Sequence, residues 1–362
     1  MSPIAPLRLG VVGCGIIARA YVDGSAAFDT FEVAACADVN PAIAEAFGAE
    51  HGLVPLSLEE LIADPQLDAV LNLTPPGAHA AVIRSALAAG KHVYTEKPLA
   101  TSVSEARELV ELAGRLGLRL GCAPDTFLSS AYEAGRAAIL RGDIGEPLGA
   151  TATFLVGGPD TWHPNADFFY AAGGGPVLDI APYYLTAIAA LLGPFTAAAG
   201  FATTFTTERT LGVGPRAGER IRVEVPTHVA SVLRLESGAL ATLATSFEAR
   251  EQYVSGLVVH GSEGTLELPD ANQFGGDVWI RTGREDRAEV PYLSRGPQET
   301  RGRGIDDLVA ALVAGRPHRA SGELGLHVLE AAFAMLRAAE EGQTVEIPPL
   351  AAAAAPAGLS GG

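Results

Sequence analysis

Gly13-Cys14-Gly15-Ile16-Ile17-Ala18 decides the fold, because it follows an apolar run at residues 7–12 and opens a helical pattern. In such a stretch the first glycine allows a tight turn, the second lets a pyrophosphate approach the main chain, and a small third residue lets the helix pack on a sheet. The unpaired amides at the helix start, here those of Ile16 and Ile17, favour an anion. The stretch therefore predicts a dinucleotide-binding turn built on Gly13 and Gly15.

Asp38 stands about 20 residues beyond this turn, at the end of the next strand-like run. An acid at that place accepts hydrogen bonds from the hydroxyls of an adenosine ribose. A carboxylate ~4 Å from a 2′-phosphate would cost up to ~4 kcal/mol at an effective dielectric of ~20. Because Val39 and Asn40 offer no compensating cation, NAD is favoured over NADP. The alternative is a turn or helix-capping aspartate in front of Asn40-Pro41.

The first third of the chain alternates short apolar runs with helical patterns, as a parallel sheet with crossover helices requires. Helix starts are marked by Asn40-Pro41, Ser57 and Ser102, and helix ends by glycines. The pattern predicts an α/β, doubly wound (Rossmann) domain over residues 1–123, with strands at 7–12, 31–37, 69–73, 92–95 and 118–122.

Beyond residue 123 long β-rich runs follow one another without helices between them. They indicate an α+β domain over residues 124–350 with a large, mainly antiparallel open sheet. Helical patterns at 176–192, 305–314 and 323–340 are assigned to the same domain. Residues 351–362 form an Ala, Pro and Gly tail, which we expect to be flexible.

Composition narrows the classes of function. The chain has 362 residues, 48% of them hydrophobic and 19% charged, as expected for two globular domains. The net charge of −17 makes nucleic acid and anionic membrane surfaces poor partners. The three cysteines show neither disulfide nor zinc spacing, and the sequence contains no other metal-binding motif. Without a signal-peptide pattern or the ~20 apolar residues that span a bilayer, we expect a cytoplasmic protein.

Lysine occurs only at Lys91 and Lys97, so 23 of the 25 basic residues are arginine. Lysine can lose its proton at a functional site, whereas arginine effectively cannot. Lys97 follows the apolar run at 92–95 and so emerges at the same sheet edge as the glycine-rich turn. Lys97 is therefore a candidate catalytic residue. The alternative is that a nucleotide bias of the gene favours arginine codons and that Lys91 and Lys97 remain by chance.

Asn72-Leu73-Thr74-Pro75-Pro76 ends the apolar run at 69–73 and leads to His79. Two consecutive prolines cannot extend the hydrogen-bonding pattern of a β-sheet or the interior of a helix. They therefore indicate a bend at the carboxyl edge of the sheet, where ligands bind. Thr74, Pro75 and His79 are candidates for contact with the nicotinamide half of the cofactor. A solvated His79 in the first turn of a helix is the alternative.

These motifs, with Ala89-Gly90-Lys91-His92-Val93-Tyr94-Thr95-Glu96-Lys97-Pro98, resemble the glucose-fructose oxidoreductase, inositol dehydrogenase and rhizopine-catabolism oxidoreductase family over essentially the whole chain. Glu-Lys-Pro is the most specific part of the resemblance. The resemblance implies an NAD(P)-dependent dehydrogenase that acts on CH–OH groups, in which Lys97 assists proton transfer at the substrate oxygen. It also implies that Glu96 and Lys97 lie against the cofactor.

A second part of the resemblance is a glycine-rich turn, Gly173-Gly174-Gly175, that leads to Asp179 and Tyr183. Residues four apart share one face of a helix, unless Pro182 kinks it. The family has Asp-x-x-x-His here, with both side chains at the substrate. Tyr183 stands in place of the histidine, and a tyrosine with a reference pKa of ~10 is a poorer base than a histidine at ~6.5. We therefore expect Tyr183 to act as a hydrogen-bond donor. The alternative is that Asp179 caps a helix and Tyr183 belongs to the core.

His163 lies in an aromatic segment, residues 162–170, that suits the apolar face of a sugar ring. It could accept the proton that Tyr183 accepts poorly, or it could be an exposed loop histidine. A lysine base needs its pKa lowered from ~10.4 to about 7–8. Burial against the nicotinamide favours this, and an ionised Asp179 opposes it. The sequence leaves the proton acceptor open among Lys97, His163 and Tyr183.

The working hypothesis is NAD-linked oxidation of a secondary hydroxyl of a sugar or cyclic polyol, with Lys97, Asp179, Tyr183 and His163 as catalytic residues. Two other classes stay open: a non-catalytic regulator that senses NAD, and a redox-neutral NAD-dependent enzyme of glycosides or keto-sugars. An open sheet offers a face for assembly, and the resemblance implies a homodimer or homotetramer. Neither the sugar or polyol nor the physiological direction follows from the sequence.

Overall fold

Six parallel strands form the sheet of the amino-terminal part of the chain. The structure is a computed structural model that describes residues 6–250, 253–283, 286–292 and 299–350. The strands are β1 Leu7–Val12, β2 Phe31–Ala37, β3 Val54–Pro55, β4 Ala69–Asn72, β5 His92–Thr95 and β6 Leu120–Cys122. Their order is β3-β2-β1-β4-β5-β6, so the direction of winding reverses between β1 and β4. Ligands of doubly wound sheets bind outside the carboxyl ends of the strands at such a reversal. The predicted doubly wound domain is confirmed.

The connections between these strands contain helices α1 Ile16–Ser25, α2 Pro41–His51, α3 Leu58–Ala63, α4 Pro76–Ala88 and α5 Val103–Leu116. α2, α3 and α5 begin where the sequence predicts. The Asn40 side chain accepts the Ala42 N–H, and the Ser57 and Ser102 hydroxyls accept N–H groups three residues further on. Each bond satisfies an amide at a helix start that would otherwise lack a partner.

A later segment of the chain joins this first unit. The described residues divide into one unit up to residue 128 plus 299–326, and another over 129–292 plus 327–350. In the first unit the buried Asp125 carboxylate accepts the N–H groups of Gly302 and Gly304, each at 3.1 Å, at the start of α10 Arg303–Ala314. Residues 305–314, which the sequence pattern assigns to the second domain, thus lie in the first unit.

The second unit contains a large, mostly antiparallel sheet. Its strands are β7 Pro147–Leu155, β8 Phe195–Thr203, β9 Glu208–Thr210, β10 Arg220–Arg222, β11 His228–Leu235, β12 Leu240–Ser246, β13 Val254–Gly261, β14 Thr265–Leu268, β15 Trp279–Arg281, β16 Arg287–Glu289 and β17 Val345–Glu346. β9 pairs with β10, and the others form one sheet in the order β16-β15-β14-β13-β7-β12-β11-β8-β17. β7 and β12 are parallel, and the other neighbours are antiparallel. The predicted sheet is confirmed.

Helices cover part of this sheet and complete the second unit. They are α6 Ser130–Arg141, the short α7 Asp167–Tyr170 and α8 Gly175–Asp179, and α9 Ala181–Leu192; α11 Gly322–Glu341 runs through the end of the first unit into the second. α9 is buried along its whole length and packs against β7 and β12. Within the described ranges, no helix has both the length and the apolar composition needed to cross a membrane. The tail predicted at 351–362 lies outside those ranges.

Candidate functional site

The glycine-rich turn connects β1 to α1 in a conformation that glycine permits. Gly13 has a φ of +95°, and a side chain there would meet the Leu73 carbonyl oxygen at 2.7 Å. At Gly15 an added Cβ would meet no described atom within 4 Å. The described residues provide no side-chain cap for α1, and its first turn contains no acidic residue. The first amides of α1, including those of Ile16 and Ile17, therefore suit an anionic group.

Asp38 supports this turn from the end of β2. One carboxylate oxygen accepts the Cys14 N–H at 3.0 Å, and the other accepts the Asn40 N–H at 2.9 Å. The turn-capping role that the sequence allows for Asp38 is therefore present. Because a carboxylate has about four acceptor sites, this role leaves capacity for hydroxyl groups of a ligand.

A buried polar network joins the ends of β4 and β5. At its centre is Asn72, whose side-chain oxygen accepts the Thr74 hydroxyl at 2.7 Å. The Asn72 amide nitrogen donates to the Thr95 hydroxyl and to the His79 carbonyl oxygen, each at 3.2 Å. A lost bond would leave a buried polar group unsatisfied, so such a network holds its members in one arrangement. It thereby fixes the bend at Thr74 and Pro75 that precedes α4.

The His79 ring lies between the loops that follow β4 and β5. It is 1% exposed, with Nδ1 2.6 Å from the Pro98 carbonyl oxygen and Nε2 2.7 Å from the Thr74 carbonyl oxygen. Burial lowers the pKa of His79, although the two carbonyl contacts oppose this shift. The neutral ring has one N–H and donates to one carbonyl, and protonation would add the second bond. His79 is thus a buried residue rather than a solvated one.

Lys97 follows β5 and is held through its neighbour Glu96. The Glu96 carboxylate is buried, and its two oxygens accept the Tyr21 hydroxyl and the Lys97 N–H, each at 3.0 Å. Tyr21 belongs to α1. Glu96 therefore links the helix of the glycine-rich turn to the main chain of the lysine, and the Lys97 side chain is partly exposed.

The second lysine has a structural role. Lys91 is buried, and its ammonium group donates to the carbonyl oxygens of Asp64 at 2.7 Å and Leu67 at 2.8 Å. Both acceptors lie between α3 and β4, so Lys91 ties this connection to the start of β5. Lys97 is therefore the lysine at the carboxyl edge of the sheet.

In the second unit, Asp179 and Tyr183 lie on either side of a helix break. Asp179 is the last residue of α8, and Tyr183 lies in the first turn of α9. The sequence predicts one helix over 176–192, but Pro182 has no N–H for the Leu178 carbonyl and its ring clashes with that group. The continuous helix is therefore a wrong prediction. Asp179 is partly exposed, and Tyr183 is buried.

His163 lies in an aromatic cluster of the second unit. Its ring lies edge-on to those of Trp162, Phe168 and Phe169, with centroid distances of 5.5, 5.4 and 5.4 Å. Nδ1 accepts the Asn165 N–H at 3.1 Å. In a neutral ring the other nitrogen then carries the proton. His163 can therefore donate a hydrogen bond from Nε2, and this geometry opposes a role as proton acceptor.

Tyr21 and Asn72 shape this edge of the first unit, although the sequence alone assigns neither of them a role in the site. Each carries a weaker signal: Tyr21 is a polar group on the buried face of α1, and Asn72 ends a strand whose other residues are apolar. Buried polar groups need hydrogen-bond partners, so both positions indicate a side chain that holds another group. Among the described residues, no three His, Cys, Asp or Glu side chains are grouped as a metal site would require.

The doubly wound sheet and its glycine-rich turn define the class, which is the dinucleotide-binding proteins. A family model described as "Oxidoreductase family, NAD-binding Rossmann fold" matches residues 7–123, and a model of the GFO/IDH/MocA C-terminal domain matches residues 132–267. The chain belongs to this family of glucose-fructose oxidoreductase, inositol dehydrogenase and related enzymes, and it is a nicotinamide-dependent dehydrogenase. The predicted family is confirmed.

The relatives of the chain include sugar oxidoreductases. 1,5-Anhydro-D-fructose reductase from Ensifer adhaerens is 30% identical over 94% of this chain and 98% of the relative. D-xylose 1-dehydrogenase (NADP(+)) 2 from Haloferax volcanii is 29% identical over 94% of this chain and 100% of the relative. The crystal structure of an NAD binding oxidoreductase from Klebsiella pneumoniae is similar with a TM-score of 0.84 and 25% identity, over 95% of this chain and 100% of that one. These likenesses extend over nearly the whole chain.

Proposed function

We propose that the protein transfers a hydride between NAD and a secondary hydroxyl of a sugar or cyclic polyol. The observation that carries the proposal is the placement of Lys97 after β5, where Glu96 binds its N–H and Tyr21 of α1 binds Glu96. The choice of a sugar or polyol is supported by two relatives, which are named as a 1,5-anhydro-D-fructose reductase and a D-xylose 1-dehydrogenase. A bound nicotinamide supplies the hydride acceptor or donor, and the chain must supply a group that handles the hydroxyl proton.

The residues of the first unit fit such a cofactor. Gly15 leaves room above the start of α1, and the amides of Ile16 and Ile17 would hold the pyrophosphate. Asp38 would accept hydrogen bonds from the adenosine ribose, and its charge would repel a 2′-phosphate. This charge supports NAD as the cofactor, in contrast to the NADP in the name of the xylose dehydrogenase.

The proton step is assigned to Lys97. A neutral amine would accept the hydroxyl proton directly, whereas an ammonium group would polarise the substrate oxygen while another group takes the proton. Thr74 and Pro75, at the end of β4, would border the nicotinamide side of the same edge. The two roles of Lys97 differ in whether the side chain must lose its proton, which lysine can do and arginine effectively cannot.

Asp179, Tyr183 and His163 of the second unit are proposed as substrate-binding groups. Asp179 would accept hydrogen bonds from sugar hydroxyls, and Tyr183 would donate one. His163 would donate from Nε2 because its Nδ1 accepts the Asn165 N–H. The exposed ring of Trp162 beside it suits the apolar face of a sugar.

The test is an activity screen with NAD against a panel of sugars and polyols, read by the absorbance of the reduced nicotinamide. Lys97→Met should lower turnover by ~10²–10⁴-fold, as loss of a proton-transfer group does, with NAD affinity unchanged. Lys97→Arg should fail equally if the lysine is the base, and should keep part of the activity if only its charge acts. Equal loss of turnover and of NAD affinity in Lys97→Met would refute the assignment.

The same screen separates the other two classes. A change in nicotinamide absorbance supports a dehydrogenase, whereas product formation without that change supports a redox-neutral enzyme. Binding of NAD with no reaction on any compound favours a regulator. If the protein is a dehydrogenase or a redox-neutral enzyme, Lys97→Met should show no reaction. If it is a regulator, Lys97→Met should bind NAD like the wild type.

We also propose that the outer face of the large sheet forms the contact between copies in a homodimer or homotetramer. Phe201, Val232 and Leu240 share this face by register and are 81%, 42% and 52% exposed. A sheet face with large apolar side chains needs a cover. Val232→Glu should lower the mass measured by sedimentation, and a wild-type protein that sediments as a monomer would contradict the proposal.

A further inference from the structure

We propose that His79 is a positioning residue, which holds the main chain around Lys97 by contacting the Pro98 carbonyl. The inference rests on the function proposed for Lys97. Pro98 directly follows Lys97, and the His79 Nδ1 lies 2.6 Å from its carbonyl oxygen. The sequence places His79 with the groups that touch the cofactor, so holding the main chain beside Lys97 is a different task.

Two contacts of the His79 ring carry the inference. The ring spans from the Pro98 carbonyl, after β5, to the Thr74 carbonyl, after β4, and it is almost completely buried. His79 itself lies in the first turn of α4, and its own carbonyl accepts the Asn72 side chain. The ring is therefore held on a regular element and lies between two loops, with each nitrogen facing a carbonyl oxygen.

Lys97 thus lies between two anchors on the main chain. On the amino-terminal side, the Lys97 N–H donates to the Glu96 carboxylate. On the carboxyl-terminal side, the Pro98 carbonyl oxygen lies 2.6 Å from the His79 Nδ1. Removing the second anchor frees the turn on the side that follows the lysine. A misplacement of ~1 Å can cost ~10²-fold in rate, so loss of the ring nitrogens should lower turnover without removing any group that touches the reactants.

The variants compare loss of the ring nitrogens at two buried histidines. His79→Phe keeps a ring of similar shape without nitrogens, and His79→Gln keeps an N–H donor. His318→Phe is the matched control, because His318 is also buried in the first unit and its Nε2 lies 3.2 Å from the Leu120 carbonyl oxygen, away from Lys97 in sequence. We expect kcat to fall ~10- to 100-fold in His79→Phe, to recover partly in His79→Gln and to stay unchanged in His318→Phe, with the same affinity for NAD throughout.

A second readout needs no substrate. The chain has two lysines, so reductive methylation with ¹³C-formaldehyde gives few NMR signals, and Lys97→Arg identifies that of Lys97. In His79→Phe the Lys97 signal should shift and its titration with pH should change, whereas in His318→Phe it should keep both. A structural role of His79 away from Lys97 would move neither.

The outcomes separate this inference from the proposed function. An unchanged Lys97 signal and unchanged kcat in a folded His79→Phe or His79→Gln would overturn the inference, and so would a loss of NAD affinity equal to the loss of kcat. If Lys97→Met keeps its turnover, the proposed function fails, and the NMR comparison still decides whether His79 positions Lys97. Should His79→Phe not fold, His79→Gln is judged by the same two measurements.

Discussion

The Tyr21 hydroxyl donates to the Glu96 carboxylate at 3.0 Å, and this bond ties the nucleotide-binding helix α1 to the residue before Lys97. Burial, followed by the nearby charge of Glu96, raises the pKa of Tyr21 well above its usual value of about 10. The hydroxyl therefore remains a donor throughout the neutral and alkaline range. The glycine-rich turn and the lysine are connected through one buried pair.

Tyr21→Phe removes this bond while keeping the aromatic ring. We expect the free energy of unfolding to fall by about 1–3 kcal/mol, because the Glu96 carboxylate loses a buried partner. We also expect a lower kcat, since Glu96 then holds the Lys97 N–H without support from α1. Urea unfolding and steady-state kinetics measure the two effects.

Tyr132→Phe is the matched control for this prediction. The Tyr132 hydroxyl is also buried and donates to the Pro269 carbonyl oxygen at 2.9 Å, within the second unit. This variant should lose stability by a similar amount and keep its kcat. If Tyr21→Phe and Tyr132→Phe have the same kcat, the Tyr21–Glu96 pair does not position the lysine.

The two lysines should separate stability from turnover. Lys91→Met removes two hydrogen bonds from a buried ammonium group to the Asp64 and Leu67 carbonyls, so the free energy of unfolding should fall by about 3 kcal/mol. Its turnover and NAD affinity should match the wild type at a temperature where it is folded. Lys97→Met should instead lose turnover and keep its free energy of unfolding. If Lys97→Met loses as much stability as Lys91→Met, the two lysines do not have these separate roles.

Local chemistry explains why much of the first unit is predictable. Asn40, Ser57 and Ser102 each satisfy an amide within three residues, so their side chains mark helix starts without help from distant contacts. The same holds for the glycine-rich turn, because the turn needs a positive φ at residue 13 and glycine adopts this conformation readily. The placement of α10 is different, because its first amides bind Asp125, which lies far away in sequence.

The candidate site follows the same division. Lys97 and Asp38 are predicted from their positions at strand ends, whereas composition cannot tell that Lys91 donates to two carbonyl groups within the first unit. Sequence spacing puts Asp179 and Tyr183 on one helix, and the proline between them overrides that pattern. The orientation of a buried ring such as His79 depends on two carbonyls from separate loops, and no local pattern encodes it.

Stability of the protein should decrease in acid through His327, which lies in the second unit. The ring is buried, its Nε2 accepts the Phe195 N–H at 3.0 Å, and burial lowers its pKa to about 4. Between pH 4 and 6.5 the unfolded chain binds more protons at this group than the folded one. The free energy of unfolding should therefore rise with pH across this window, with a contribution of up to about 3 kcal/mol.

His327→Gln tests this contribution because glutamine keeps an acceptor for the Phe195 N–H and does not titrate. Urea unfolding at a series of pH values should show a smaller slope for the variant than for the wild type. A part of the slope should remain, since burial also lowers the pKa of His318. Identical slopes for the variant and the wild type would show that His327 does not contribute.

Asp38→Asn should shift the cofactor preference toward NADP. The substitution removes the charge that opposes a 2′-phosphate, and the amide oxygen can still accept one of the two N–H groups now bound, those of Cys14 and Asn40. The ratio of kcat/KM for NADP to that for NAD should rise by ~10-fold or more at low salt. The difference should shrink at high ionic strength, because salt screens the repulsion between exposed charges. A wild-type enzyme that uses NADP as well as NAD, or a ratio unaffected by the substitution, would contradict the role assigned to this carboxylate.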